Sequence, residues 1–267
     1  IRGLTILLAW IIPFLLFTAS LQVKYPRYML PITPLLILLG AWAMVTVARR
    51  WRVMWSLIAI TLISMLIYAL AFINMYTEPH PWVTLSEWMY RNIPKGTAIF
   101  SDKWDEDLPI AMRVDNEARS ENDFAKQIVD SYERPDSQAK LESSLRKLAA
   151  SDYLVMPSNR MYGVLPRLPT RFPLMSKYYR ALFDGRLGFE VVMITNRYPN
   201  LLGWRIVNDT FTSVNLPVPA LAAFTARDLN FSFADESFTL YDHPLAMGLR
   251  NVKRLSAEEM LKAVLAP

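Results

Sequence analysis

The stretch Lys24-Tyr25-Pro26-Arg27-Tyr28-Met29-Leu30-Pro31 decides how this chain is read. It separates two long apolar runs with two cations, two tyrosines and two prolines, the make-up of a short turn at a membrane surface. The run before it, residues 4–21, is about 18 residues long, enough to cross a hydrocarbon core of roughly 30 Å. Two more runs follow, residues 29–48 and 53–75, of about 20 and 23 residues. Pro13 falls inside the first, which membrane helices tolerate with a kink. Residues 1–77 contain no Asp or Glu. Three transmembrane helices are therefore expected over about 4–21, 29–48 and 53–75, with one water-soluble domain over 78–267.

Composition supports that division. The chain of 267 residues is 53% hydrophobic with a mean hydropathy of +0.18, an average that a split chain explains better than a uniform one. The cations of the first part are Arg2, Lys24, Arg27, Arg49, Arg50 and Arg52. Removing these six from 29 leaves 23 against 24 carboxylates, so residues 78–267 carry about −1. The net +5 thus belongs to the membrane part and does not point to nucleic acid, whose footprint would be a basic stripe on the folded domain. Cysteine is absent, which excludes disulfides, thiolate metal sites and cysteine nucleophiles. Because the first residue is Ile and the apolar run begins at once, the chain reads as the C-terminal piece of a longer membrane protein.

Orientation follows from the positive-inside rule. Arg49, Arg50 and Arg52 crowd the link between the second and third runs, and Arg2 precedes the first, so that side is cytoplasmic. The turn at 22–28 and the C-terminal domain then lie outside, at the plasma membrane of a multi-pass protein. Lys24 and Arg27 sit on the side that should be poor in cations. With Tyr28 they suit a lipid-linked phosphate at headgroup depth. Snorkelling to ordinary phospholipid headgroups accounts for them equally well. Pro26, Pro31 and Pro34 pre-shape the turn, with Pro31 expected near the start of the second helix.

The outer domain alternates helix and strand signals, which predicts an α/β fold with a mixed or parallel sheet. Helices are expected at 86–92, 137–150, 173–185 and 255–265, and strands at 97–100, 153–156, 189–195, 204–207 and 238–241. Residues 113–122 are polar and poorly periodic and read as a loop. At the end of the first strand, Asp102, Asp105, Glu106 and Asp107 crowd six positions. They can hold a divalent cation, touch the acceptor or the transferase core, or form a solvated acidic loop with Asp107 capping a turn. No other cofactor is evident. Arg160, Arg167 and Arg171 suit an anion or simply solvated loops. The apolar, proline-broken segment 214–224 is too short to span and either dips into the membrane interface or covers the sheet. His243 beside Asp242 can form an oriented acid–base pair but reads rather as a turn residue with a local hydrogen bond.

A family resemblance joins these observations. Lys24-Tyr25-Pro26-Arg27-Tyr28-Met29-Leu30-Pro31-Ile32-Thr33-Pro34 resembles a segment of bacterial membrane glycosyltransferases of the C-type fold, the dolichyl-phosphate-mannose–protein mannosyltransferase and aminoarabinose-transferase-like enzymes. Ser86-Glu87-Trp88-Met89-Tyr90-Arg91-Asn92-Ile93-Pro94-Lys95-Gly96 and Trp104-Asp105-Glu106-Asp107-Leu108-Pro109 are similar to the start of that family's outer domain. Ser158-Asn159-Arg160-Met161-Tyr162-Gly163, Tyr178-Tyr179-Arg180-Ala181-Leu182-Phe183 and the stretch from Asp235 to Pro244 resemble its later parts. The resemblance implies transfer of a sugar from a polyprenyl-phosphate carrier to an acceptor outside the cytoplasm, with membrane lipid, the carrier-linked sugar and a missing N-terminal transmembrane half as partners. That family keeps its catalytic carboxylates in its first outer loop, which has no counterpart here. The resemblance therefore implies a piece that is inactive by itself. The rival expectation is a non-catalytic, membrane-tethered binding or assembly module.

Overall fold

The computed structural model describes residues 2–22, 25–102, 104, 107–129, 131–232, 234 and 236–266. The chain packs as two units, Ile1–Ile67 and Tyr68–Pro267. The boundary thus falls inside the third helix, ten residues before the expected domain edge at 77/78.

The first unit is built from α1 (Arg2–Ser20), α2 (Thr33–Arg50) and most of α3 (Val53–Asn74). Among the described residues these three helices are long and apolar enough to cross a membrane. Large apolar side chains such as Ile6, Ile37 and Leu62 stand exposed along them, the reverse of a water-soluble bundle. The second helix starts at Thr33, four residues later than expected. Pro26–Met29 form a 3-10 turn with Pro26 at its start, and Pro34, not Pro31, occupies the first turn of α2. Arg49 and Arg50 correspondingly fall inside its last turn, where cations complement the carbonyl end of a helix. The turn is anchored by Ile32, which is fully buried, and by the Thr33 hydroxyl, which donates to the Met29 carbonyl at 2.8 Å.

The second unit continues from the end of α3 through α4 (Pro81–Asn92), β1 (Ala98–Asp102), β2 (Met112–Val114), β3 (Glu117–Arg119), β4 (Ala125–Val129) and α5 (Gln138–Ala149). Then come β5 (Tyr153–Met156), α6 (Pro173–Phe183), β6 (Phe189–Thr195), β7 (Asn200–Leu201), β8 (Trp204–Val207) and α7 (Thr210–Ser213). The chain ends with β9 (Asp228–Asn230), α8 (Glu236–Thr239), β10 (Ala246–Asn251) and α9 (Ala257–Leu265). The main sheet has the order β4-β1-β5-β10-β6. β1 pairs in parallel with β4 and β5, while β10 runs antiparallel to both β5 and β6. Four strands therefore point one way and β10 opposes them, so the sheet is mixed.

Alternation along the strands sends side chains to two cores. Phe100, Leu154, Met156, Met247 and Leu249 face one way, onto α5, α6 and α9 through Leu145, Leu148, Tyr179, Leu182 and Met260. Ile99, Val155 and Ala246 face the other way, onto α4 through Leu85, Met89 and Ile93. The result is a sheet sandwiched between helices, the arrangement that strands apolar on both faces require. α4 lies over β10 at Gly248, where a Cβ would meet the Trp88 ring at 3.5 Å, an ordinary packing contact.

Two expectations are overturned. Residues 112–119 form a hairpin, because Asp115 and Asn116 both take positive φ (49° and 67°) and supply the two-residue turn that tight hairpins favour. The strand expected at 238–241 does not form: α8 covers Glu236–Thr239, a turn follows, and the strand beside β5 is β10. Four isolated residues offer strand-like composition either way, and only the pairing partner decides.

Candidate functional site

Between α1 and α2, Tyr25 is extended (φ −102°, ψ 141°) and Pro26 opens the 3-10 turn. That geometry folds Arg27 back over its neighbours. Its guanidinium carbon lies 4.3 Å above the Tyr25 ring centroid and 6.0 Å from that of Tyr28. The two rings meet edge to face at 5.6 Å. Stacking occupies the flat face of a guanidinium and leaves its in-plane N–H donors for an anion. Arg27 is exposed, and Tyr28 is half-buried. Lys24 lies outside the described residues.

In the second unit, the carboxyl ends of β1, β4, β5 and β6 gather at one edge of the main sheet. The same edge receives the chain from α3. The Trp82 indole N–H donates to the Pro157 carbonyl at 2.7 Å, and His80 bridges the start of α4 to the Tyr241 carbonyl at 2.9 Å. Since the His80 Nδ1 accepts from the Trp82 amide at 3.2 Å, the proton belongs on Nε2, which donates to Tyr241. No expectation from sequence included this lock.

Two of the acidic residues at and after the end of β1, Asp102 and Asp107, turn inward. Asp102 is buried and accepts from the Ser131 hydroxyl at 2.9 Å and the Tyr179 hydroxyl at 2.7 Å. It thereby ties β1 to the loop after β4 and to α6. Burial, then the Asp102 charge, raises the Tyr178 and Tyr179 phenols well above their ordinary range, so both remain protonated donors. Asp107 accepts from the Ser101 hydroxyl at 2.5 Å and the Leu108 amide at 2.9 Å, and pairs with Lys126 at 2.5 Å. These two carboxylates are bound by their own chain on different partners, so the expected solvated loop is not what they form. Asp105 and Glu106 lie outside the described residues. Among the described residues no group of three or more His, Asp or Glu is placed to hold a metal ion.

Beside this loop a small cleft is lined by Trp82, Trp104, Pro157, Ser158, Arg160 and Tyr241. The Arg160 guanidinium stacks 4.8 Å over Trp104, whose ring meets Tyr132 edge to face at 3.9 Å. Arg171 and Arg134 flank Phe172 instead, at 5.5 and 5.9 Å, and Arg167 ends a separate 3-10 turn. The three arginines singled out from sequence thus do not converge on one anion. Ser158 and Asn159 do not cap a helix. The Ser158 hydroxyl accepts from the Arg160 amide, and the Asn159 amide group donates to Thr210 at 3.0 Å. Asp136, 38 residues away in sequence, supplies the missing cap of α6, accepting from the Leu174 amide at 2.8 Å.

His243 departs furthest from expectation. It is fully buried, and neither ring nitrogen has a hydrogen-bond partner among the described residues. Its ring stands edge-on to Phe72 at 6.1 Å and to Phe238 at 5.4 Å, joining the end of α3 to α8. Burial lowers its pKa to about 4 despite the raising effect of Asp242, so the imidazole is neutral near pH 7.

Comparisons with protein-family models, with curated proteins and with solved structures return no match for this chain.

Proposed function

We propose that this chain is the C-terminal part of a membrane glycosyltransferase that takes its sugar from a polyprenyl-phosphate carrier. In this reading α1, α2 and α3 cross the plasma membrane, and the α/β domain lies on the outer side. Lys24, Arg27 and Tyr28 hold the carrier phosphate, and the catalytic carboxylates lie in a part of the enzyme outside this stretch. One observation carries the proposal. Arg27 is stacked on Tyr25 in a proline-started turn between two apolar helices, its donors without a hydrogen-bond partner among the described residues, in a stretch of sequence that holds no carboxylate. A cation in a stretch of sequence without carboxylates favours an anionic ligand. The arginine triplet at 49–52 supports the orientation, because it crowds the opposite end of α2.

A tethered, non-catalytic module is the second reading. It is favoured by Asp102 and Asp107, which are bound internally and so offer no acid–base pair to a substrate. The two readings separate in the full-length protein. Lys24→Ala with Arg27→Ala is expected to weaken carrier-phosphate binding roughly ten- to hundredfold, the worth of a charged hydrogen bond or two. Unchanged affinity for the carrier rules the phosphate site out.

A further inference from the structure

The three-stranded sheet β7-β8-β9 is apolar on the wrong side for a protein surface. Its central strand alternates, so Trp204 and Ile206 point to one face and Arg205 and Val207 to the other. β8 pairs in parallel with β9, which sets Leu229 beside Ile206 and continues to Phe231 on the same face. The second face is settled within the domain. Arg205 grips Asp228 through two bonds of 2.6 and 2.7 Å, and Val207 is fully buried. The first face is open: Trp204 is 50% exposed, Phe231 67%, and Leu202 at the tip of the β7–β8 hairpin 90%.

Leu202 is also the wrong residue for its backbone. It takes φ +52° and Gly203 φ +84°, a two-residue turn that favours Asn or Asp at the first position and disfavours a bulky side chain. A leucine held there against its backbone preference, pointing outward, signals a surface that meets something apolar.

The location says what that is. The Asn74 side chain, on the last residue of α3, donates to the Asn200 carbonyl at 3.2 Å and to its side-chain oxygen at 2.6 Å. α3 has 22 residues, on the order of 33 Å of helix, so as a span it ends close to the hydrocarbon edge. Leu202 is two residues from Asn200, at most about 7 Å of chain. The headgroup layer is itself roughly 5–7 Å deep on each side. The hairpin tip is thereby held within reach of that layer. We infer that the Leu202–Trp204 hairpin and Phe231 form an interfacial foot, seated among the headgroups and upper acyl chains of the bilayer that α3 crosses. This rests on the membrane reading of α3 given above. A tryptophan with an apolar body and one N–H suits that depth, and bilayer lipid is an occupant that every molecule with this topology meets.

The natural absence of cysteine allows a direct test. Leu202→Cys and Phe231→Cys are each spin-labelled in the full chain, reconstituted into phosphatidylethanolamine–phosphatidylglycerol vesicles. Ile63→Cys within α3 and Ala150→Cys at the opposite edge of the domain serve as references. Collisions with dissolved oxygen, which concentrates in lipid, are compared with those with a water-soluble nickel chelate. The expected result is a ratio at 202 and 231 shifted toward that at 63 and reversed from that at 150. Nickel-dominated collisions at 202 and 231, with position 63 in lipid, overturn the foot and leave α3 as a span. Exclusion of both reagents at 202 and 231 means a protein partner and also overturns it. Nickel access at 63 removes the span and the foot together.

Discussion

The Lys126 ammonium lies 2.5 Å from the Asp107 carboxylate, with the two side chains only 10% and 13% exposed. This pair ties Asp107, in the connection after β1, to the neighbouring strand β4 and keeps that carboxylate out of solvent. The Ser101 hydroxyl and the Leu108 amide satisfy the remaining oxygen, Oδ1, so the charge is held by a full set of partners.

Removing one member of such a pair leaves a nearly buried charge without compensation. Lys126→Met is expected to destabilise the outer domain by about 3 kcal/mol, near the lower bound for breaking buried pairs because Lys126 also reaches the exposed Glu121 at 3.1 Å. Chemical denaturation followed by far-ultraviolet circular dichroism measures it. A change below about 0.5 kcal/mol, the size typical of a surface pair, would mean that the loop stays solvated.

Tyr179→Phe removes one of the donors to Asp102 and keeps the ring in place. The expected loss is about 1–3 kcal/mol, the cost of leaving a buried acceptor under-satisfied. Tyr90 offers the contrast. Its hydroxyl donates to the Ile110 carbonyl at 2.9 Å, so Tyr90→Phe leaves behind a neutral acceptor and is expected to cost less. If thermal melts rank the two the other way, Asp102 does not depend on Tyr179.

Stability should fall in acid through His243. Its folded pKa of about 4 lies below the ordinary 6.5, so the unfolded chain binds the proton more readily. The contribution is complete above pH 6.5 and is lost as pH drops toward 4, at up to about 1.4 kcal/mol per pH unit. His243→Phe suits a pocket already formed by Phe72 and Phe238 and is expected to flatten that part of the profile. Urea midpoints between pH 7 and 4 that decline equally in both proteins would assign the acid sensitivity to another group.

At the alkaline end the sign reverses. Burial raises Tyr90 and Tyr198 to about 12, so each contributes fully below pH 10 and loses its contribution as pH climbs toward 12. Ultraviolet titration should show these phenols ionising only together with unfolding. A smooth ionisation near pH 10 in a domain that keeps its circular dichroism would contradict this.

Local patterns that need no partner were legible in the chain. Three apolar runs free of carboxylates announced three long helices, because helical backbone satisfies its own hydrogen bonds whatever surrounds it. The same holds for α5 with its Ser137 cap, for α6 with Pro173 in its first turn, and for α9 with the Ser256–Glu259 capping box. The strands β5, β6 and β8 were marked by their own Val, Ile and Leu content.

What tertiary structure alone decided were pairings across distance. Nothing near Asp102 in sequence foretells Tyr179 and Ser131, and nothing near His243 foretells Phe72, far back in the chain, as a ring packed against it. Short segments such as 236–239 took their form from what they packed against. A side chain's type and spacing are written in the chain, but its solvent exposure, and with it the charge it can bear, depends on residues that only folding brings to it.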